Sequence, residues 1–288
     1  MNYLCVDYLW NVDKSGNLHM HFKRFIMKIK ESSTYYKEYG SGEPLLLIAG
    51  LASDSQSWLP IVNSLSKHFR VIIFDNRGVG RSNSNNDDIT IEIMTNDCVE
   101  LINHLGYSKV NLLGHSMGGI IAMNMAINYP EMVDKLMIEA SVPQLNNRNI
   151  ELFNDWVNYL NDGMKKELWF KNIFYWIFSP AFFNNIHVLN QAIELSVNYP
   201  YPQSDTSFKN QVVAISAFSC LSELKKIKSS TLIVFGEFDL LFPPHETETL
   251  FKDIIHKSIR VVPKAAHSIH IDNPEYFIKT VLNFLSGS

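Results

Sequence analysis

The sequence predicts an α/β protein in which a mostly parallel sheet is covered by helices on both faces. The first observation is a set of short, nearly continuous apolar runs, which are typical of strands buried on both faces. These runs lie at 45–50, 70–75, 109–114, 135–140, 231–236 and 258–263. The second observation is that helix-like segments separate the runs. The third is an aromatic-rich stretch that interrupts the alternation.

The predicted helices and the first two strands follow from local patterns. Residues 91–105 and 117–128 are helix-like, and the second segment ends at Tyr129-Pro130. A residue before proline is biased away from helical backbone, so a helix boundary is expected there. Residues 19–30 and 32–39 instead alternate between polar and apolar side chains. We therefore expect these two segments to form an antiparallel pair at one edge of the sheet.

The strand pattern stops after Ser141 and resumes near Thr231. Residues 144–211 contain no convincing buried strand and are rich in Phe, Trp and Tyr. We expect an inserted, mostly helical cap there, and some of its rings should face the rest of the protein, because so small a segment cannot bury them all internally. The predicted division is a core of 19–143 and 212–288, a cap of 144–211, and an N-terminal extension of 1–18.

The composition is that of an ordinary globular protein and argues against a nucleic-acid binder. Of the 288 residues, 46% are hydrophobic and 19% are charged, and 25 Lys and Arg against 29 Asp and Glu give a net charge of −4. No run of Lys or Arg exceeds two residues, so the sequence lacks the basic cluster that nucleic-acid binding requires.

Cysteine usage and the N-terminus predict a cytoplasmic protein. Cys5, Cys98 and Cys220 are widely spaced and odd in number, which favours buried thiols in a reducing compartment over disulfides or a zinc site. The N-terminus lacks the basic start of a signal peptide, and Asp7 interrupts its apolar run. No apolar stretch reaches the roughly 18 residues that a membrane-spanning helix needs.

A single serine lies between glycines in the stretch GHSMG, residues 114–118. The predicted strand before it and the predicted helix after it favour a strained turn that exposes the Ser116 hydroxyl. The N–H groups at the start of that helix can stabilise a developing negative charge. The side chain of His115 is expected to diverge from the serine. A Gly/Ser turn without a catalytic role is the alternative interpretation.

A serine nucleophile needs a base and an orienting carboxylate, and two loops supply candidates. His267 follows the last predicted strand, at the sheet edge where Ser116 also lies, and His270 is its competitor. Asp239 follows the preceding strand at the same edge, where open α/β sheets gather their sites. Glu237 is the competing carboxylate, and capping of the next helix is the structural alternative for Asp239.

Several short motifs occur in a fixed order along the chain. They are Ala49-Gly50-Leu51, DNRGVGRS at 75–82, the serine turn at 114–118, GEFD with Pro243 at 236–243, and His267 followed by Asp272 and Pro274. Together they resemble the α/β-hydrolase family, and more closely its small capped esterases, enol-lactonases and carbon–carbon hydrolases. The family spacing, with an acidic residue five positions and a proline seven positions after the histidine, selects His267 over His270.

The resemblance implies an α/β-hydrolase fold, with a mostly parallel eight-stranded sheet flanked by helices and an inserted helical cap. It implies no metal and no organic cofactor. It also implies a catalytic triad and an oxyanion hole of two backbone N–H groups: Ser116, Asp239 and His267, with Leu51 and Met117.

Two positions depart from the family pattern. Ala49 stands where the family usually has histidine, and Ala266 stands where it usually has glycine. Neither change removes a backbone N–H group, so both bear on loop geometry and substrate preference rather than on oxyanion stabilisation.

The expected reaction is hydrolysis of small, largely apolar carboxylic esters or lactones through an acyl-enzyme on Ser116. The cap is expected to cover the pocket, with four aromatic residues as candidate substrate contacts: Trp58, Trp156, Trp176 and Phe178. Two other functions stay open, a carbon–carbon hydrolase with the same triad and a receptor-like ligand-binding protein with residual hydrolysis. Three cap lysines also leave an acyl carrier protein open as a partner, although a solvated charged face is the favoured explanation for them: Lys165, Lys166 and Lys171.

Overall fold

The structure is a computed structural model that describes residues 9–12, 18–21, 26–29, 32–82 and 89–287, with side chains from residue 34 onward. The strands are β1 (Leu9–Val12), β2 (Leu18–His21), β3 (Ile26–Ile29), β4 (Ser32–Tyr39), β5 (Pro44–Ile48), β6 (Arg70–Phe74), β7 (Val110–His115), β8 (Val133–Glu139), β9 (Ser230–Gly236) and β10 (Lys257–Val262). The α-helices are α1 (Leu59–Leu65), α2 (Ile91–His104), α3 (Met117–Asn128), α4 (Asn147–Asn161), α5 (Lys166–Ile177), α6 (Pro180–Phe183), α7 (Ile186–Val197), α8 (Asp205–Ala217), α9 (Pro244–Thr247), α10 (Ile269–Asp272) and α11 (Pro274–Ser286).

The main sheet has eight strands in the order β10-β9-β8-β7-β5-β6-β4-β3. The pairs from β10 to β6 are parallel, and β4 joins β6 and β3 by antiparallel pairing. The predicted mostly parallel, eight-stranded α/β-hydrolase fold is therefore confirmed. Because neighbouring parallel strands end at the same edge, the segments after β5, β7, β8, β9 and β10 are brought together there.

The continuous apolar runs follow from the covering of both sheet faces. In β5, Leu45 and Leu47 belong to one core cluster, whereas Leu46 and Ile48 belong to the other. Helices α1 and α11 pack on the first face, and α2 and α3 pack on the second. Successive strand side chains point to opposite faces, so a strand between two helix layers needs apolar residues at every position.

Five helices, α4 to α8, lie between β8 and β9. The two ends of this insertion meet at the sheet, where the N–H of Cys220 donates to the carbonyl of Pro143 at 3.0 Å. Helix α8 continues past residue 211, where the sequence suggested that the cap ends. The division into core, cap and extension itself stays a prediction.

The predicted edge pair is only partly correct. β3 pairs with β4 at the sheet edge, but β2, which overlaps the start of the same predicted strand 19–30, pairs with β1 in a separate two-stranded sheet. Residues 9–12, predicted to belong to an extension, therefore supply a strand. Alternation of side chains indicates a half-exposed strand without specifying its partner, which is why the sequence could not separate these two pairings.

Two of the three cysteines lie within the described residues. Cys98 and Cys220 are buried free thiols, and burial raises the pKa of Cys220 to about 12. Cys5 lies outside the described residues. Among those residues, no helix combines the length and apolar character needed to cross a membrane. The cytoplasmic location stays a prediction.

We expect Gly118→Ala to destabilise the protein strongly, because a Cβ there would lie 2.0 Å from the backbone oxygen of Ile48. Helix α3 would have to move away from β5, at a cost of at least about 3 kcal/mol in the free energy of unfolding. Denaturant unfolding measures this loss. Gly106→Ala is the control, since no described atom lies within 4 Å of its Cβ position and only its φ of 77° opposes alanine, by roughly 1 kcal/mol. Equal losses for the two variants would contradict the close approach.

Candidate active site

Ser116 lies in the sharp turn between β7 and α3. Its φ of 51° is in the left-handed region, which a non-glycine residue adopts only where its surroundings impose it. Its N–H donates to the carbonyl of Glu139 at 2.9 Å, and its own carbonyl accepts the Ser141 hydroxyl at 2.6 Å. A Cβ on Gly50 would lie 3.2 Å from the Ser116 Cβ, so the loop after β5 contacts the serine directly.

The predicted base and acid are joined by a buried hydrogen bond. The Nδ1 atom of His267 lies 3.0 Å from Oδ2 of Asp239. The other carboxylate oxygen of Asp239 accepts the N–H groups of Leu241 and Phe242 at 2.9 and 3.0 Å. Three donors thus fix the orientation of this carboxylate. With Nδ1–H donated to Asp239, the Nε2 atom of His267 is the proton acceptor of the ring.

A cavity of about 220 Å³ brings the predicted nucleophile and base together, because both Ser116 and His267 line it. Among the described residues, the Ser116 hydroxyl has no hydrogen bond to the imidazole, a contact that is often loose until substrate binds. Most of the remaining lining is apolar, and most of these apolar residues come from the helical insertion: Phe153, Trp156, Phe170, Ile173, Phe174, Ile177, Phe178 and Phe208.

The four predicted aromatic contacts separate into two groups. Trp156 and Phe178 line the cavity, whereas the described lining does not include Trp58 or Trp176. Trp58 is fully buried, and its ring lies 4.5 Å from that of His270, between centroids. The sequence placed Trp58 near the oxyanion loop correctly, but the short helix over Ser55–Trp58 directs its ring into the core.

The oxyanion candidates lie beside the serine. Leu51 lines the cavity, and Met117 is the buried first residue of α3. The loop after β5 is held by Asn76, whose side-chain amide donates to the carbonyl of Ala49 at 3.0 Å. The segment 75–82 therefore supports this loop. Its Asp75 accepts the backbone N–H groups of Ser55 and Arg81, and it forms a buried ion pair with the Arg81 side chain.

The competing histidine and carboxylate have other partners. The imidazole Nδ1 and the backbone N–H of His270 both contact Oε1 of Glu139, at 2.8 and 3.0 Å. Glu237 accepts the N–H of Lys264 at 2.9 Å. Glu139 was not among the predicted site residues, although a carboxylate at the end of a buried apolar strand was a signal for it.

His115 does not point away from the site as expected. Its Nε2 atom lies 3.1 Å from the carbonyl oxygen of His267, and its ring centroid is 4.9 Å from that of His267. Burial, reinforced by the neighbouring His267 and His270, holds the pKa of His115 well below its usual value. A neutral His115 therefore donates Nε2–H to the backbone of the predicted base.

The same region contains the donor set of a metal site. Ligand atoms of His115, Glu139 and His270 lie within 4.8 Å of one another, and all three residues are buried. The hydrogen bonds between Glu139 and His270 already use two members of this set. We interpret the cluster as internal support for the loop that follows β10.

We expect His115 to make the protein less stable as the pH falls. Because its pKa lies well below 6.5 in the folded state, the unfolded chain takes up a proton that the folded protein does not. The free energy of unfolding should therefore decrease below the unfolded pKa, with a slope of up to about 1.4 kcal/mol per pH unit. Denaturant unfolding between pH about 8 and about 5.5 measures it. His115→Gln should show a shallower decrease, and identical pH profiles would disprove the assignment.

Comparison with known proteins confirms the resemblance carried by the motifs. The sequence profile described as alpha/beta hydrolase fold matches residues 43–274. A protein of Caulobacter sp. (strain K31), provisionally named carbamate hydrolase RutD, is 26% identical over 247 residues, 85% of this chain and 91% of the relative. The enol-lactonase from Burkholderia xenovorans LB400 has a TM-score of 0.82 and 23% identity, over 91% of this chain and 99% of that chain. An esterase from Exiguobacterium antarcticum has a TM-score of 0.80 and 22% identity, over 91% and 98%. Family and relatives support a hydrolase, and the chain belongs to the alpha/beta hydrolase fold family.

Proposed function

We propose that the protein is a serine hydrolase that cleaves carboxylic esters or lactones of small, largely apolar substrates. The observation that carries the proposal is the hydrogen bond of 3.0 Å between His267 and Asp239, next to a cavity that His267 shares with Ser116. A hydroxyl, an imidazole and an orienting carboxylate in this arrangement are the parts that nucleophilic acyl transfer needs.

The first half of the reaction forms an acyl-enzyme. The Ser116 oxygen attacks the carbonyl carbon while Nε2 of His267 takes the hydroxyl proton. Asp239 keeps the imidazole oriented and stabilises its charged form. His267 then gives the proton to the leaving alcohol as the carbon–oxygen bond breaks. In a lactone this alcohol stays attached to the acyl group.

The second half releases the acid. A water molecule attacks the acyl carbon and transfers its proton to Nε2 of His267, which then protonates the departing Ser116 oxygen. In both halves, the backbone N–H groups of Leu51 and Met117 are the proposed donors to the oxyanion. Each such donor typically contributes about 10²–10³ in rate.

The cavity lining supports an uncharged, apolar acyl or alcohol group. When an apolar group of the substrate binds against its wall of Phe, Trp and Ile side chains, the apolar surface that leaves water contributes about 25 cal/mol per Å² to the binding free energy. Among the described lining residues none is Lys or Arg, so the pocket offers no cation to an anionic substrate. This favours an uncharged substrate such as an ester or a lactone over an anionic one such as a free carbamate anion.

We expect a fluorophosphonate to label Ser116 covalently, and peptide mapping to locate the label. Ser116→Ala should abolish labelling and lower p-nitrophenyl ester turnover by roughly 10⁴–10⁶. Ser196→Ala is the matched control, because Ser196 also lines the cavity but bonds the carbonyl of Ala192 in its own helix. Labelling that survives Ser116→Ala, or turnover of vinylogous diketones without ester turnover, would refute the proposal.

We also expect Phe178→Ala to change the acyl preference. Phe178 lines the cavity and stacks on Phe182 at 4.2 Å, so its removal opens space along the wall. The ratio of kcat/KM for hexanoate over acetate p-nitrophenyl esters should rise about tenfold. Phe183→Ala, at a ring outside the described lining, should leave the ratio unchanged. An unchanged ratio for Phe178→Ala would show that the acyl group does not bind against this wall.

A further inference from the structure

The loop that contains His267 is held on both sides of this residue. The N–H of Ser268 donates to the carbonyl of Ile177 at 2.9 Å, and Ile177 is the last residue of α5. The N–H of Ala266 donates to Oδ2 of Asp272 at 2.9 Å. The backbone is therefore held both at the residue before His267 and at the residue after it.

Asp272 extends this support to the helical insertion. Its Oδ2 atom also accepts the backbone N–H of Ser179 at 3.0 Å, and its Oδ1 atom accepts the Ser179 hydroxyl at 3.1 Å. Ser179 is buried and lies directly before α6. One carboxylate thus joins the start of α6 to the residue that precedes His267.

The loop that contains Asp239 has a comparable contact with α4. The side-chain amide of Asn149, which is fully buried, donates to the carbonyl of Leu241 at 2.8 Å. The N–H of the same Leu241 donates to Oδ1 of Asp239 at 2.9 Å. Arg148 adds hydrogen bonds of 3.0 and 3.2 Å to the carbonyls of Leu240 and Leu241.

We propose that Asn149, Ser179 and Asp272 are positioning residues, through which helices α4 to α6 set the relative placement of His267 and Asp239. The inference rests on the proposed serine-hydrolase function. When these helices pack on the core, their hydrogen bonds hold each loop at a position one or two residues away from His267 or Asp239. Movement of the helices away from the core breaks the contacts and releases both loops. The same packing of the helices that covers the cavity therefore also brings His267 and Asp239 into position.

The expected effect is on the chemical step. Displacing a reacting group by about 1 Å can cost about 10²-fold in rate without changing the binding of substrate. Asp272→Ala removes every contact of this carboxylate with Ala266 and Ser179, whereas Asn would keep them, because its amide oxygen accepts both backbone N–H groups and its NH₂ group donates to the Ser179 hydroxyl. Ser179→Ala removes only the hydroxyl contact, and Ser179→Thr keeps a hydroxyl.

The test compares Asp272→Ala, Ser179→Ala, Ser179→Thr and Asn149→Leu with the wild type. The probes are p-nitrophenyl acetate, whose acyl group is too small to need the cavity wall, and a fluorophosphonate. Asp272→Ala and Asn149→Leu should each lower kcat and the phosphonylation rate about 10- to 100-fold, with KM within about twofold. Ser179→Ala should lower kcat and the phosphonylation rate about threefold or more, and Ser179→Thr should restore most of the lost rate.

A readout independent of folding comes from proton NMR of the hydrogen atom that His267 shares with Asp239. Its signal should shift or broaden in Asp272→Ala and Asn149→Leu at temperatures below their unfolding midpoints. Lys166→Gln is the control, since the Lys166–Asp205 ion pair of 2.6 Å lies within the insertion and touches neither loop. It should match the wild type in every measurement.

The outcomes separate the two proposals. A wild-type protein that the fluorophosphonate does not label at Ser116 overturns the serine-hydrolase function. A labelled wild type, together with wild-type rates and an unchanged NMR signal in Asp272→Ala and Asn149→Leu, overturns the positioning role alone. If either variant fails to fold, Ser179→Ala with its Ser179→Thr rescue decides, and equal rates for these two count against the proposal.

Discussion

The close approach of helix α3 to strand β5 is the constraint on which the site depends. A side chain on Gly118 would meet the backbone of Ile48, and one on Gly114 would lie 2.2 Å from the carbonyl oxygen of Gly118. Without those side chains the helix begins directly behind the turn, and Ser116 is held with a positive φ at the end of a central strand. Its hydroxyl side chain then faces the loops that follow the neighbouring strands.

Polar contacts then fix the loop after β10 from two directions. On the core side, a neutral His115 contacts the carbonyl of His267, and Glu139 contacts both the backbone and the imidazole of His270. On the other side, contacts from the helical insertion reach the same loop. Through these two contacts of its Oε1 atom, Glu139 ties this loop to the end of β8.

Much of this arrangement could be predicted from the sequence, because it follows from simple constraints. Strands covered on both faces must be apolar throughout, and the carboxyl edge of a parallel sheet collects the loops that follow them. These two rules placed Ser116, Asp239 and His267 at one edge. The partners of Glu139 and His270 depend instead on how a strand end meets a distant loop, which no local pattern encodes.

The aromatic residues show the same limit. A helix with many rings presents several of them at equivalent positions, so sequence spacing cannot distinguish those that line the cavity from those that pack elsewhere. Trp156 and Phe178 line the cavity, whereas Trp58 lies in the core. The strand pair β1–β2 was missed for a related reason, since alternation identifies a strand without identifying its neighbour.

The junction between Pro143 and Cys220 has a consequence for how such a protein can change. Because the chain leaves and re-enters the sheet at adjacent points, segments of very different length and sequence can be exchanged there without altering strand order. Such grafting would diversify substrate range rapidly. Under the proposed positioning role, a grafted segment that lacks counterparts of Asn149 and Ser179 would bring a new cavity wall while leaving the His267–Asp239 pair poorly aligned.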